Sequence, residues 1–186
     1  MLLVAGLILA IVVLGLYRHS PPVRNRASDG ARNANGATFP PTIRGKPVPD
    51  FELPNLNGKV VRFSDSRGKV VLVNFWATWC APCVIEMPWF NELQKRYGPR
   101  GFQVIAISLD ENPDLCAPFL EEHKLGNLMA LLGNQHTADL FGGLIGLPTT
   151  FLVDRDGKLY SKHQGLVNID VVDEEILELL EKERTD

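Results

Sequence analysis

From Pro47 onward, short apolar runs alternate with stretches in which apolar residues recur at helical spacing. Phe51 to Leu53 predicts a short strand, Asn57-Gly58 a turn, and Val60, Val61 and Phe63 a second short strand. Val70 to Ala77 is a continuous apolar run broken only by Asn74, the mark of a central strand buried on both faces. A helix is predicted from Ala81 to Tyr97, stopped by Gly98-Pro99. Phe102 to Leu109 predicts another buried strand, followed by helical segments at Asp114 to Lys124 and His136 to Phe141. Thr149 to Val153 reads as a strand, Asp156-Gly157 as a turn, and Lys158 to Gln164 as its hairpin partner. Val171 to Lys182 is a terminal amphipathic helix. The succession implies an α/β fold, a mixed central sheet flanked by helices and preceded by an N-terminal β-hairpin.

The pattern before Pro47 is different. Residues 1–17 carry no charge and show no polar positions at helical spacing, unlike a buried core helix. A membrane-spanning helix needs roughly 20 apolar residues, with about 17 as the lower edge. The segment therefore reads as an N-terminal transmembrane anchor, with a cleaved signal peptide as the alternative. Leu16, Tyr17 and Arg18 offer no small-x-small cleavage site, which favours the anchor. Arg18, Arg24 and Arg26 follow the run and nothing basic precedes it. By the positive-inside rule alone, the domain would face the cytoplasm.

Residues 18–46 read as a flexible basic linker, with Pro21, Pro22, Pro40 and Pro41 and little that could enter a core. Arg18, Arg24, Arg26, Arg32, Arg44 and Lys46 against Asp29 give it a net charge of about +5. The whole chain is −3, so residues 47–186 carry about −8. An acidic domain on a basic tether does not suit a nucleic-acid binder. The linker fits a soluble tether or one lying on anionic lipid headgroups.

The candidate chemistry sits in Trp79-Cys80-Ala81-Pro82-Cys83, where a buried strand gives way to a helix. Two cysteines three apart in a first helical turn can close a small disulfide ring. The free amides and partial positive charge of a helix N-terminus stabilise a thiolate there. Pro82 suits the first turn, where its missing N–H costs nothing. In this arrangement Cys80, at the exposed end, is the candidate nucleophile, and Cys83, one turn deeper, is the resolving thiol.

The stretch from Asn74 to Cys83, with Glu86-Met87-Pro88, the run from Gly146 to Asp154, and Asp156-Gly157, resembles the thioredoxin superfamily, and within it the TlpA/ResA-like group. The resemblance covers nearly all of residues 47–182. It implies a thioredoxin-like fold for residues 47–186, with a central insertion between Gly101 and Gly146 holding an extra strand and helix. That group consists of exported thiol-disulfide oxidoreductases, many tied to cytochrome c maturation.

The resemblance implies roles position by position. Pro148 matches a cis-proline facing the cysteines, and the backbone of Leu147 would pair with an extended substrate segment. Glu86, on the Cys83 face of its helix, is expected as a half-buried acid that exchanges a proton with Cys83. Asn74 stands where plain thioredoxins carry a buried acid, so Glu86 is expected to take over that work. Trp79 is expected beside Cys80 on the docking surface and Trp76 in the core. Pro88 is expected to kink its helix. Cys116 reads as a structural free cysteine at a buried site.

The implied partners are a protein disulfide substrate, a membrane thiol-disulfide electron donor, and the membrane itself through the N-terminal helix. The domain is then expected on the extracytoplasmic side. No cofactor and no metal are expected.

Two alternatives stay open. A peroxiredoxin-type thiol peroxidase would place a threonine three residues before the reactive cysteine and a proline four further back. Here Trp79 and Thr78 precede Cys80, and position 73 is Val. A metal-binding thioredoxin-fold carrier would have only two ligands in the motif, while zinc takes four.

Overall fold

The computed structural model describes residues 44–182. The anchor expected over 1–17 and the linker up to residue 43 lie outside the described residues. Among the described residues, no helix is long and apolar enough to cross a membrane.

A five-stranded mixed sheet forms the centre, in the order β5-β4-β3-β6-β7. Its strands are β3 (Val70–Trp76), β4 (Phe102–Ser108), β5 (Met129–Leu132), β6 (Thr149–Val153) and β7 (Leu159–Gln164). β4 runs parallel to both β3 and β5, whereas β6 is antiparallel to both β3 and β7. A separate antiparallel hairpin, β1 (Glu52–Pro54) with β2 (Val60–Arg62), precedes it. Among the described residues, four α-helices complete the fold: α1 (Ala81–Tyr97), α2 (Cys116–Glu122), α3 (Gln135–Leu140) and α4 (Ile169–Glu181).

β3 and β4 are buried at every position, which is why they read as unbroken apolar runs. Alternation along β3 sorts its side chains between two cores. Val70, Leu72 and Trp76 face Met87, Phe90 and Leu93 of α1, Leu120 of α2, and Val172 and Ile176 of α4. Val71, Val73 and Phe75 face Leu53 of the hairpin, the flanking Phe51 and Phe63, and the segment around Ala138 and Phe141. Phe141 is the hub of this second core, with ring centroids 4.9, 5.2 and 5.9 Å from Phe151, Phe75 and Phe51.

Several boundaries differ from the sequence reading. Phe63 opens a 3-10 turn over Phe63–Ser66 rather than extending β2. The Asp50 carboxylate stabilises that turn by accepting from the Ser64 amide at 2.8 Å. The helix expected from Asp114 begins as a 3-10 turn over Pro113–Leu115, and the α-helix starts at Cys116. Pro118 lacks an amide hydrogen and so fits only the first turn of a helix. Helix α1 keeps its expected bounds, with Pro88 inside it. The extra strand expected in the central insertion is β5, at the sheet edge. Arg44 to Lys46, read as the end of the linker, lie along β7. Gly45 donates to the Leu159 carbonyl, Leu159 donates back to that of Lys46, and the Arg44 guanidinium sits 4.1 Å from the Tyr160 ring centroid.

The aromatic hub gives a stability test. Phe141→Ala is expected to lower unfolding free energy by about 3–5 kcal/mol, the usual scale for emptying a buried phenylalanine site. Val60→Ala, on the exposed edge of the hairpin, is expected to change it by less than about 0.5 kcal/mol. Urea denaturation of the two variants checks the contrast.

Candidate active site

The site is built where β3 ends and β6 begins, on one side of the sheet. β3 stops at Trp76, a tight turn follows in which the Cys80 amide donates to the Ala77 carbonyl at 3.1 Å, and α1 starts at Ala81. Cys80 occupies the N-cap of α1 with extended backbone (φ −86°, ψ 98°), Pro82 lies in the first turn, and Cys83 is one turn in. Cys80 and Cys83 are joined in a disulfide, with Cα atoms 5.3 Å apart.

Antiparallel pairing brings β6 to the same place. Phe75 is in register with Thr149, so Pro148, one residue earlier, stands level with Trp76 and the turn into Cys80. The Leu147–Pro148 peptide bond is cis. Its surroundings are fixed by two hydrogen bonds: Thr149 Oγ1 donates to the Gly146 carbonyl at 2.7 Å, and the Gly165 amide donates to the Pro148 carbonyl at 2.9 Å.

Exposure at the site is uneven. Cys80 is only 4% exposed and Cys83 is fully buried, so Cys80 is less open than its place at the helix end suggested. The large exposed side chain of the motif is Trp79, at 71%, with the small Ala81 exposed beside Cys80, while Trp76 is fully buried. Ile145 and Leu166, on the loops that carry Pro148 and its partner Gly165, add further exposed apolar surface.

Beneath the disulfide lies a buried polar group. Glu86, expected as half-buried, has no exposed surface. It is one helical turn from Cys83, on the same face of α1. The Asn74 side-chain amide donates to its Oε1 at 2.7 Å and also to Thr150 Oγ1 at 3.0 Å, and the Val167 amide donates to its Oε2 at 3.3 Å. Burial pushes the Glu86 carboxyl up to about 8, against the weaker opposing pull of the Val167 and Asn74 hydrogen bonds. The carboxyl is therefore mostly protonated at neutral pH while the disulfide is closed.

Cys116 is buried, and burial raises its thiol above the ordinary range. Its sulfur lies 3.2 Å from Ser108 Oγ and 3.6 Å from Asp110 Oδ2. A cavity of about 470 Å³ between α2, β5 and the β1–β2 turn is lined by Leu56, Leu120, Lys124 and Leu128, with no residue of the cysteine motif. Among the described residues, no group of three or more His, Cys, Asp or Glu side chains is placed to hold a metal ion.

Known proteins resemble this chain in sequence and in fold. Residues 44–162 match the AhpC/TSA family. The chain belongs to that family. Its relatives make it a thioredoxin-like thiol-disulfide oxidoreductase. The thiol-disulfide oxidoreductase ResA of Bacillus thuringiensis subsp. konkukian is 38% identical over 121 residues, which span 65% of this chain and 69% of that protein. A putative thiol:disulfide interchange protein DsbE from Chlorobium tepidum superposes with a TM-score of 0.68 at 38% identity, covering 74% of this chain and 97% of that one. The exposed lipoprotein thioredoxin Etrx1 of Streptococcus pneumoniae gives a TM-score of 0.62 at 28% identity, covering 70% and 100%.

Sequence reading named Cys80, Cys83, Glu86, Trp79, Leu147 and Pro148, and the fold gathers the elements that carry them. It missed Val167 and Thr150, the second partners in the Glu86–Asn74 network. Thr150 lies inside the motif that carried the resemblance, but Val167 contributes only its amide, which no side-chain pattern could have signalled.

The raised Glu86 carboxyl sets a pH test. Its pKa is higher folded than unfolded, so its contribution to stability is full below about pH 4.5 and is lost as pH rises through about 8. The scale is a few kcal/mol at most. Denaturation of the oxidised chain is expected to show wild-type stability falling relative to Glu86→Gln across that window. Parallel curves would contradict the buried, protonated carboxyl.

Proposed function

We propose that this oxidoreductase works as a reductant of protein disulfides, through Cys80 as nucleophile and Cys83 as resolving thiol. The observation that carries this reading is the closed Cys80–Cys83 disulfide at a helix N-terminus with the buried Glu86 carboxyl one turn below.

The cycle balances. A donor thiolate attacks Cys80 Sγ, the S–S bond breaks, and Cys83 leaves as a thiolate that takes the Glu86 proton. The donor's second thiol then displaces Cys80, leaving the pair reduced and the donor oxidised. The Cys80 thiolate next attacks a substrate disulfide and releases one substrate thiolate, which is protonated from solvent. Cys83 returns its proton to the Glu86 carboxylate and attacks Cys80 Sγ. The second substrate thiolate leaves, and both the disulfide and the protonated Glu86 are restored.

The direction of flow depends on how far the Cys80 thiolate is stabilised. A strongly oxidising pair is one whose reduced form is stabilised. Here the helix N-terminus acts without a cationic helper in the motif, because the first basic residue of α1 is Lys95, in its last turn. A modestly stabilised thiolate belongs to a reducing pair.

Trp79 and the backbone of Leu147 before Pro148 are the proposed docking elements, the latter by pairing with an extended segment that carries the target cysteine. The proposed location is outside the cytoplasm, with residues 1–17 as the tether and a membrane dithiol protein as donor. The resemblance to exported oxidoreductases and the relative named as an exposed lipoprotein support this. Apocytochrome c is the first substrate to test.

Cys80→Ser is expected to abolish insulin-disulfide reduction, and Cys83→Ser to retain attack but accumulate a mixed disulfide on Cys80. Activity surviving in Cys80→Ser would sink the assignment of nucleophile. Glu86→Gln is expected to shift the pH profile of turnover, and an unchanged profile would remove the proton-exchange role.

A further inference from the structure

We infer that Asp110 is a positioning residue for Cys80, holding the turn that precedes it through Thr78. The inference rests on the reading of Cys80 as the nucleophile.

Parallel pairing sets Trp76 opposite Ser108, so Thr78 and Asp110 each lie two residues beyond the same rung. The Asp110 carboxylate accepts from the Thr78 amide at 3.1 Å through Oδ1 and 3.0 Å through Oδ2, and from the Thr78 hydroxyl at 2.7 Å. It is held in turn by Ser108 Oγ, which donates to Oδ2 at 2.8 Å and accepts from the Asp110 amide at 3.0 Å. The Cys116 thiol, 3.2 Å from Ser108 Oγ and 3.6 Å from Oδ2, closes the buried side. One more bond joins the two strand ends, from the Leu109 amide to the Trp76 carbonyl at 2.9 Å.

The residues just after Thr78 need such an anchor. Trp79 is mostly exposed, so packing does little to hold the chain there. Cys80 must nevertheless meet the free amides of α1 at a fixed angle for the helix N-terminus to stabilise its thiolate. A bidentate carboxylate on a rigid strand end supplies the fixed point two residues upstream. Hydrogen bonds to a charged acceptor are the stronger kind. Cys116 thereby gains a place in the structure that requires no redox chemistry: a protonated thiol donor behind the carboxylate.

The test is the pH profile of Cys80 alkylation by iodoacetamide in the reduced full-length chain, with the modified residue identified by mass spectrometry. Thr78→Val deletes the hydroxyl bond and leaves every charge in place. It is expected to raise the midpoint by roughly 0.5 pH unit or more, the scale of one hydrogen bond's net contribution. Thr78→Ser keeps the donor and is expected to restore the wild-type midpoint. Hydrogen exchange at the Thr78 amide supplies the second readout, since Asp110→Ala is expected to accelerate it at least tenfold. A Thr78→Val profile that matches the wild type, with only a lowered Tm, would reduce Asp110 to a structural residue and overturn the inference. An unchanged Thr78 exchange rate in Asp110→Ala would do the same. Modification at Cys83 rather than Cys80 would instead overturn the assignment of the nucleophile, which keeps the two failures distinct.

Discussion

A carboxyl group with no access to water must either be solvated by the protein or give up its charge. Glu86 does both in part. One amide from Asn74 and one from Val167 satisfy its oxygens, and burial keeps it protonated to about pH 8. Those contacts tie together the elements that make the site. Asn74 belongs to the central strand, Glu86 to the helix that carries both cysteines, and Val167 to the loop whose Gly165 holds Pro148. Asn74 also reaches Thr150, so the network crosses from β3 to β6. Replacing Asn74 or Glu86 by an apolar residue would strand its partner without a hydrogen bond, at about 1–3 kcal/mol.

The rest of the site is set by strand ends. β3 runs parallel to β4 and antiparallel to β6, so the C-terminal ends of β3 and β4 and the N-terminal end of β6 share one side of the sheet. Each contributes one element: the turn into Cys80, the Asp110 carboxylate, and Pro148. Two layers of apolar side chains, one per face, keep that sheet from shifting. The chemistry is accordingly on loops and a helix start, while the strands supply only alignment.

Much of this was legible in the residues. Val70–Trp76 and Phe102–Ser108 stood out because strands buried on both faces leave continuous apolar runs, and the cysteines could be placed because strand and helix signals meet at Trp79. The resemblance implied Trp79 on the docking surface and Trp76 in the core, and the structure puts one at the surface and the other in the core. Depth was harder to read. The i, i+3 spacing of Cys83 and Glu86 gives a shared face but not how far below the surface it lies, so a fully buried Glu86 was expected as half-buried. β5 was expected only as an unplaced extra strand, because Met129–Leu132 spans four residues within a longer apolar stretch. The Asp110–Thr78 contact spans 32 positions and exists only through the β3–β4 register, which no local pattern specifies.

The proposed role of the Cys80–Cys83 pair as a reductant depends on a thiolate stabilised by a helix N-terminus alone. The direct test is the reduction potential of the pair, obtained by equilibrating the full-length chain with dithiothreitol buffers and quantifying free Cys80 and Cys83. The expected value is near that of thioredoxin, about −270 mV, or lower. A value near −120 mV, where strongly oxidising pairs lie, would contradict the role and make the protein a source of disulfides.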